Sequence, residues 1–164
     1  MKKPLVLLLL IYFCNIPTAS AQSMGQTYQT SLGLKFAPAA VTAKHFHRDN
    51  RAIEGLAYLW NYGFRFTGLY EFHWDINALP GLKWYVGPGA HIGFWSTRWR
   101  DRFPGYDGGT YIGIDGVLGL DYKIDNAPIN LSLDWQPSFN FGDGPDSYYG
   151  FYSGFGGIAV RYTF

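Results

Sequence analysis

The last eleven residues of the chain, GFGGIAVRYTF at positions 154–164, decide the fold. Read at every second position, they separate into an apolar set and a set that tolerates polar groups. The first set is Gly154, Gly156, Ile158, Val160, Tyr162 and Phe164, and the second is Phe155, Gly157, Ala159, Arg161 and Thr163. Alternation with a period of two residues predicts a β-strand with one apolar face and one mixed face.

The end of this strand carries a further signal. Phe164 is the final residue, so an aromatic ring lies beside the terminal carboxylate. In a strand that closes a membrane barrel, the ring lies at the bilayer interface and the carboxylate lies in water. The segment resembles the C-terminal signal strand of bacterial outer-membrane β-barrels, with Val160, Tyr162 and Phe164 as the signal residues. The resemblance implies recognition by the outer-membrane barrel assembly machinery and by periplasmic chaperones.

The N-terminus predicts export from the cytoplasm. Two lysines precede an apolar run at positions 5–13, and small residues follow at 19–21. A basic start, an apolar run too short to span a bilayer and a small-x-small cleavage site are typical of a secretory signal peptide. Cys14 would suit a lipoprotein, but a phenylalanine stands before it where that modification needs a small residue. We therefore predict a signal peptide over 1–21 and one domain over 22–164.

The composition of the mature chain narrows the class of protein. Removing residues 1–21 leaves 143 of 164 residues, takes away the one cysteine and removes two of the 13 basic residues, so that 12 acidic residues give a net charge of −1. This charge argues against a nucleic-acid partner. The 21 glycines and the 20% of aromatic residues suit strands and turns better than helices. Charges or glycines interrupt every later apolar run, so only a closed barrel of this chain could span a membrane.

The alternation of the last strand recurs along the mature chain. It predicts strands at about 28–36, 39–47, 52–60, 64–74, 83–94, 112–123, 129–139 and 154–164. Compact turns follow the second, fourth and sixth strands, while long connections at 96–109 and 142–152 lie at the opposite rim. This pattern predicts an all-β fold, an eight-stranded antiparallel up-and-down transmembrane β-barrel. Pro88 has no backbone N–H to donate to a neighbouring strand, which predicts an edge or a bulge in the fifth strand.

The same alternation would also fit a soluble, lipocalin-like barrel whose apolar face surrounds a ligand. Bulky residues fill the apolar set, whereas an eight-stranded interior is only just wide enough for side chains. The polar set contains many glycines and carries charges of both signs, which can pair in a confined lumen. Aromatic residues lie near the predicted strand ends, as in interfacial girdles: Trp60, Tyr62, Trp74, Trp84, Trp95, Tyr122, Tyr162 and Phe164. We therefore predict that the polar set faces a lumen and the apolar set faces lipid.

Charged residues of the polar set form a predicted lumen network. Its members are Glu54, Arg65, Glu71, Asp115, Asp121, Asp134 and Arg161. Further cations, Lys35, Lys44 and Lys83, share the inward face. Two interpretations of the network stay open: a salt-bridge plug that holds the lumen shut, or a narrow path for ions or solutes.

The resemblance extends over nearly all of residues 22–164. The chain resembles the small eight-stranded outer-membrane barrels of the OmpA membrane-domain and OmpX kind. The phrases AIEG at 52–55, TGLYE at 67–71, GAHIG at 89–93 and NLSLDW at 130–135 are similar to uncharacterised outer-membrane barrels of Bacteroidetes-type bacteria. The resemblance implies a fold and a location in the outer membrane of a Gram-negative-type cell. It implies no particular activity, because this fold hosts structural proteins, adhesins and lipid-modifying enzymes alike.

Patterns for catalysis are weak. The deacylases that modify lipid A carry a His-x-Ser pair with a Glu partner, and no His-x-Ser occurs here. The palmitoyltransferase type uses a loop histidine, and the long connections contain none. His45 and His47 share a face without a clear third metal ligand, and His73 and Glu71 lie near the predicted periplasmic end. We therefore predict no enzyme activity, no metal and no cofactor.

The long connections hold the remaining candidates. Arg98, Trp99, Arg100 and Arg102 could hold lipopolysaccharide phosphates, since guanidiniums fork onto phosphate oxygens, or could form a solvated loop. The loop at 142–152 could be an adhesive patch or part of the outer aromatic girdle. We expect outer-membrane lipid and lipopolysaccharide as partners, and a structural or surface-interaction role with a plugged polar lumen. A narrow pore or a lipid A-modifying surface enzyme is the alternative.

Overall fold

The computed structural model describes residues 28–60, 63–95, 109–142 and 150–164. Eight strands follow one another in the chain: β1 (Thr30–Phe36), β2 (Ala40–Arg48), β3 (Arg51–Trp60), β4 (Gly63–Asp75), β5 (Leu82–Trp95), β6 (Thr110–Lys123), β7 (Ile129–Gly142) and β8 (Gly150–Thr163). Across these ranges, no helix is long and apolar enough to cross a membrane. The predicted signal peptide, 1–21, lies outside the described residues, as do Arg98, Trp99, Arg100 and Arg102.

Each strand pairs antiparallel with the next, and β8 pairs with β1 to close the barrel. The closing ladder places Lys35 opposite Ala159, and Gly33 opposite Arg161. Closure removes the free edges that an open sheet would leave unpaired. The prediction of an all-β, eight-stranded antiparallel up-and-down barrel is confirmed.

The barrel has two distinct rims. At the terminus rim, the chain enters at Tyr28 and leaves at Phe164, and the compact connections β2–β3, β4–β5 and β6–β7 turn back there. Gly81 and Asn126 have φ values of 80° and 59° in two of these turns, a conformation that glycine and asparagine adopt most readily. At the loop rim, β5–β6 and β7–β8 are joined by residues 96–109 and 143–149. The strand ends joined by these long connections therefore lie opposite Tyr28 and Phe164, in agreement with the predicted pattern.

Two prolines within strands have different effects. Pro88 sits where the β4–β5 ladder passes from Leu69–Gly89 to Phe72–Val86 without any change of register. The expectation of an edge or bulge at Pro88 is wrong, because the barrel is closed and the missing donor only interrupts one ladder. A bulge occurs instead near Pro137, where the β7–β8 register shifts between Gln136 and Ser138. Pairing continues beyond the bulge, so β7 extends to Gly142 and β8 begins at Gly150, outside the predicted bounds of 139 and 154.

The two faces of the sheet differ sharply in chemistry. Large apolar side chains point outward and are about half exposed, among them Phe66 at 51%, Ile114 at 58% and Ile158 at 55%. Charged side chains point inward and are almost fully buried, such as Glu54 and Arg161 at 1% each. A lipocalin-like barrel would have the opposite arrangement. The polar face of the alternating pattern therefore lines the interior.

Inward glycines make room for the large residues opposite them. A Cβ atom at Gly119 would lie 2.6 Å from Cζ and 2.7 Å from the hydroxyl of Tyr85, and 2.7 Å from Cβ of Asp134. Tyr85 is fully buried and donates a hydrogen bond to Asp134, so neither group has free space to move into. On the outer face, a Cβ atom at Gly68 would meet nothing within 4 Å. Glycine is thus required by packing at position 119 and not at position 68.

We predict that Gly119→Ala lowers the free energy of unfolding of the refolded barrel by about 1–3 kcal/mol, because the new methyl group overpacks the interior. Gly68→Ala serves as the matched control and leaves that free energy unchanged or slightly raised, since alanine restricts the unfolded chain more than glycine does. The measurement is urea unfolding in lipid vesicles, followed by tryptophan fluorescence. Equal stability of the two variants would contradict the packing argument.

Candidate functional site

The interior of the barrel holds an equal number of cationic and anionic side chains. Within the described ranges, five cations and five carboxylates are buried, each at most 7% exposed: Lys35, Lys44, Arg65, Lys83 and Arg161 with Glu54, Glu71, Asp115, Asp121 and Asp134. A buried charge is costly unless an opposite charge or several hydrogen bonds compensate it. The equal numbers allow every charge to be neutralised within the lumen.

Lys44 lies at the centre of the largest cluster. Its Nζ is 2.9 Å from Oε2 of Glu71, 3.3 Å from Oε2 of Glu54 and 3.3 Å from Oδ2 of Asp121. The same ammonium group lies 4.2 Å from the ring centroid of Tyr85. One cation on β2 thus holds together carboxylates of β3, β4 and β6, which lie around the circumference of the barrel.

Arg161 extends this cluster to the closing strands. Its Nη2 is 2.5 Å from Oε1 of Glu54, and its Nε donates to Oγ1 of Thr42 over 3.1 Å. Its Nη1 donates to Oδ1 of Asn130 over 3.1 Å and to Oγ of Ser132 over 2.8 Å. All three guanidinium nitrogens are therefore used, and the contacts reach from β8 to β2, β3 and β7.

Aromatic and polar groups pack around the cluster toward the terminus rim. The Tyr28 hydroxyl lies 3.1 Å from each carboxylate oxygen of Asp121, and the Tyr28 ring meets Phe46 edge to face at 5.2 Å. Burial, with the neighbouring Asp121 carboxylate, raises the pKa of the Tyr28 hydroxyl well above its ordinary value. The hydroxyl therefore stays protonated and acts as a donor. His73 packs nearby, with Nε2 2.9 Å from Oε2 of Glu71.

Asp134 forms a separate, smaller contact at mid-height. Its Oδ1 is 2.5 Å from Nζ of Lys35, and its Oδ2 accepts a hydrogen bond from the Tyr85 hydroxyl over 2.9 Å. Both oxygens of the carboxylate are thus engaged. Because Tyr85 also packs against the Lys44 ammonium group, this contact adjoins the larger cluster.

A third group lies toward the loop rim, around Asp115. Oδ1 of Asp115 pairs with Nη2 of Arg65, and Oδ2 lies 2.8 Å from Nδ1 of His91. Gln136 reaches the same carboxylate over 3.3 Å and accepts a hydrogen bond of 2.7 Å from the Tyr58 hydroxyl. The Arg65 guanidinium lies 4.0 Å from the ring centroid of Phe155. This group therefore joins one carboxylate to a guanidinium, an imidazole and an amide.

All seven residues of the predicted lumen network point inward, but the structure divides them. Arg161, Glu54, Glu71 and Asp121 meet around Lys44, Arg65 meets Asp115, and Asp134 meets Lys35. The alternating pattern predicts Lys44 on the inward face but not in the network, although Lys44 contacts three carboxylates. The available signal was the compact turn at Asp49-Asn50, which sets Lys44 directly opposite Glu54 in the β2–β3 ladder.

The remaining candidates among the described residues lie on the outside of the barrel. Val160, Tyr162 and Phe164 are 41%, 54% and 50% exposed, and the last two rings meet edge to face at 5.0 Å. His45 and His47 are exposed on β2 and contact Thr30 and Tyr70 respectively. Within the described ranges, no group of three or more His, Cys, Asp or Glu residues could hold a metal ion.

We predict that Arg161→Ala destabilises the barrel more than Lys35→Ala does. Removing Arg161 strips partners from Glu54, Thr42, Asn130 and Ser132 and is expected to cost about 3–5 kcal/mol, the usual effect of breaking a buried pair. Removing Lys35 leaves one carboxylate, which keeps its hydrogen bond from Tyr85. Unfolding midpoints in urea measure the difference, and equal midpoints would contradict this ranking.

Comparison with known proteins finds no relative of this chain. No protein-family model matches it, and searches of curated proteins and of solved structures also find no match. The resemblance to small outer-membrane barrels is therefore carried by residues of this sequence alone. The two faces of the barrel and its interior are therefore the observations that bear on its function.

Proposed function

We propose that this chain is an integral outer-membrane β-barrel protein with a structural or surface-interaction role and a lumen closed by ion pairs. The observation that carries the proposal is the outer surface. Twenty-six large hydrophobic side chains of the described residues are exposed, and most of them lie on this surface, from Leu32 on β1 to Phe164 after β8. Soluble monomers rarely expose continuous apolar patches larger than a few hundred Å². A lipid bilayer removes such a surface from water at about 25 cal/mol per Å² of apolar area.

Strand length supports the same proposal. β4 has 13 residues, and β5 to β8 have 14 each. A tilted strand needs about 9–11 residues to cross the hydrocarbon layer. The longer strands thus have residues to spare for the two interfaces. Each strand of the closed barrel pairs with a neighbour on both sides, as the bilayer core requires of a β-structure.

Paired aromatic rings lie near both rims on the outer face. Trp74 and Trp84 stack at 4.4 Å near the terminus rim, and Phe64 and Phe94 stack at 4.8 Å near the loop rim. The side chains between these levels are mostly aliphatic or phenylalanine, such as Val86 and Ile92. Aromatic rings at two levels with an apolar band between them are typical of barrels that span a bilayer.

The proposal includes export and assembly. Residues 1–21 would act as the signal peptide, and the exposed Val160, Tyr162 and Phe164 would contact the barrel assembly machinery. The terminus rim would then face the periplasm and the loop rim the cell exterior. The arginines at 98, 100 and 102 would meet lipopolysaccharide phosphates there. In this view the protein belongs with small barrels of the OmpA membrane-domain and OmpX kind.

The proposed closure of the lumen rests on the packing of charged groups. Lys44 and Arg161 reach across the interior to carboxylates on other strands, and their side chains are fully buried. An ion that passes this level would have to displace a cation from at least one carboxylate. Because both partners would then be left uncompensated in a narrow interior, the barrier is high.

We predict that the mature protein, refolded in detergent, runs faster on a dodecyl sulfate gel when unboiled than after boiling, because a closed barrel resists the detergent. In cells, the protein fractionates with the outer membrane and its N-terminus starts at position 22. A soluble β-protein of similar size is the control and shows no mobility shift. A chain that stays monodisperse without detergent and shows no shift would overturn the membrane proposal.

We predict that the wild-type barrel gives no stepwise current in a planar bilayer, whereas the double variant Lys44→Ser with Arg161→Ser does. The exposed Arg48→Ser variant is the matched control and stays silent. A boiled-against-unboiled gel shows which preparations are folded. Stepwise current from the folded wild type would contradict a closed lumen and favour the narrow-pore alternative, even if the double variant does not fold.

A further inference from the structure

A cavity of about 340 Å³ lies inside the barrel mouth at the loop rim. Its wall includes Pro38 from the β1–β2 connection, Trp95 at the end of β5 and Tyr111 at the start of β6. The first residues of β8 complete it with Tyr152 and Phe155. The volume lies at the lower end of the range for small-molecule sites, which often occur in the mouths of β-barrels.

Aromatic rings form most of this wall. Trp95 and Tyr111 lie 5.4 Å apart on one side, and Tyr152 and Phe155 meet edge to face at 5.3 Å on the other. Phe155 also packs against Tyr58 at 5.1 Å, so the second pair is anchored in the interior. Such a wall suits a ligand that contains a ring, because aromatic side chains pack on flat rings and on the apolar faces of sugars.

Arg65 is the one charged residue in the described wall of the cavity. Its Nη2 pairs with Asp115 and its Nε donates to Oγ1 of Thr67 over 3.0 Å. Its Nη1 is buried and has no hydrogen-bond partner among the described residues. Arg161, by contrast, uses all three of its nitrogens. A buried donor without a partner is costly, so this nitrogen is a point at which a ligand oxygen would gain most.

The charge at this end of the cavity is oriented. Arg65 lines the cavity, whereas its partner Asp115 does not and lies beneath it with His91 and Gln136. The cationic residue of the ion pair thus lines the space, and its carboxylate partner does not. This orientation favours an anionic group over a cationic one, while the single unpartnered nitrogen suits one oxygen of a monoanion.

We propose that this cavity binds a small carboxylate that carries a ring. The ring packs between the Trp95–Tyr111 pair and the Tyr152–Phe155 pair, and a carboxylate oxygen accepts a hydrogen bond from Nη1 of Arg65. An aromatic acid and a sugar acid share this chemistry, and the probes below distinguish them. The site depends on the barrel fold and not on the surrounding membrane. A failure of this proposal would therefore leave the proposed location unaffected, and the reverse also holds.

The test is isothermal titration of the folded full-length mature barrel with three probes: benzoate, glucuronate and the neutral benzyl alcohol. We expect saturable binding of benzoate, glucuronate or both, with Kd on the order of 0.1–1 mM for ligands of this size. Benzyl alcohol should bind at least about tenfold more weakly, because it lacks the charge that strengthens the hydrogen bond to Arg65. Benzoate alone would identify an aromatic-acid site, and glucuronate alone a sugar-acid site.

Two variants connect the binding to the cavity wall. Arg65→Lys should weaken the binding of the preferred acid by about tenfold, since lysine lacks the forked donor geometry. Tyr152→Ser removes one wall ring and should weaken binding by about threefold to fivefold, because apolar contact area is lost. Phe151→Ser is its matched control: the neighbouring ring is 67% exposed and is not part of the wall, so binding should not change.

Three outcomes would overturn the proposal. The first is the absence of saturable binding by either acid, and the second is equal affinity for benzoate and benzyl alcohol. The third is an equal effect of Tyr152→Ser and Phe151→Ser. If Arg65→Lys does not fold, as shown by the boiled-against-unboiled gel, the comparison of these two exposed positions and the comparison of the probes still decide the question.

Discussion

The need to neutralise charge inside a narrow barrel is the constraint on which the rest of this structure depends. Lys44 contacts three carboxylates. Arg161, on the last strand, contacts side chains of other strands, among them Thr42 of β2. Neither cation has an alternative partner in water, because both side chains are fully buried. A shift of one residue in any strand would turn these groups to the outer face and leave their partners uncompensated. The ion pairs therefore specify the register of the barrel.

The outer face has a different and looser requirement. Leucine, isoleucine and valine alternate there with aromatic residues, and a glycine such as Gly68 has open space around it. An apolar solvent tolerates many arrangements of such side chains, whereas the interior requires matched volumes, as at Gly119 beneath Tyr85. The side chains that specify the fold therefore lie inside the barrel, whereas the outer side chains together form an apolar surface.

The interior is also divided along the barrel axis. Toward the terminus rim, Lys44 and Arg161 engage Glu54, Glu71 and Asp121, and the rings of Tyr28 and Phe46 pack edge to face beside them. Toward the loop rim, the Arg65–Asp115 pair lies beneath an aromatic cavity and keeps one donor without a partner. The proposed closure and the proposed ligand site therefore belong to different levels of one lumen. A ligand at the mouth would not have to pass the central cluster.

The sequence by itself determined the strand number, the antiparallel closure and the face to which each side chain points, because a period of two residues is a local property of the chain. Only the tertiary structure decided which charges meet: Arg161 and Glu54 are 107 residues apart, and their contact depends on the register of every intervening turn. The bulge beside Pro137 and the role of Lys44 were missed for the same reason. The cavity at Arg65 likewise draws on five strands or connections that no local pattern brings together. Local periodicity orients residues, and long-range closure selects their partners.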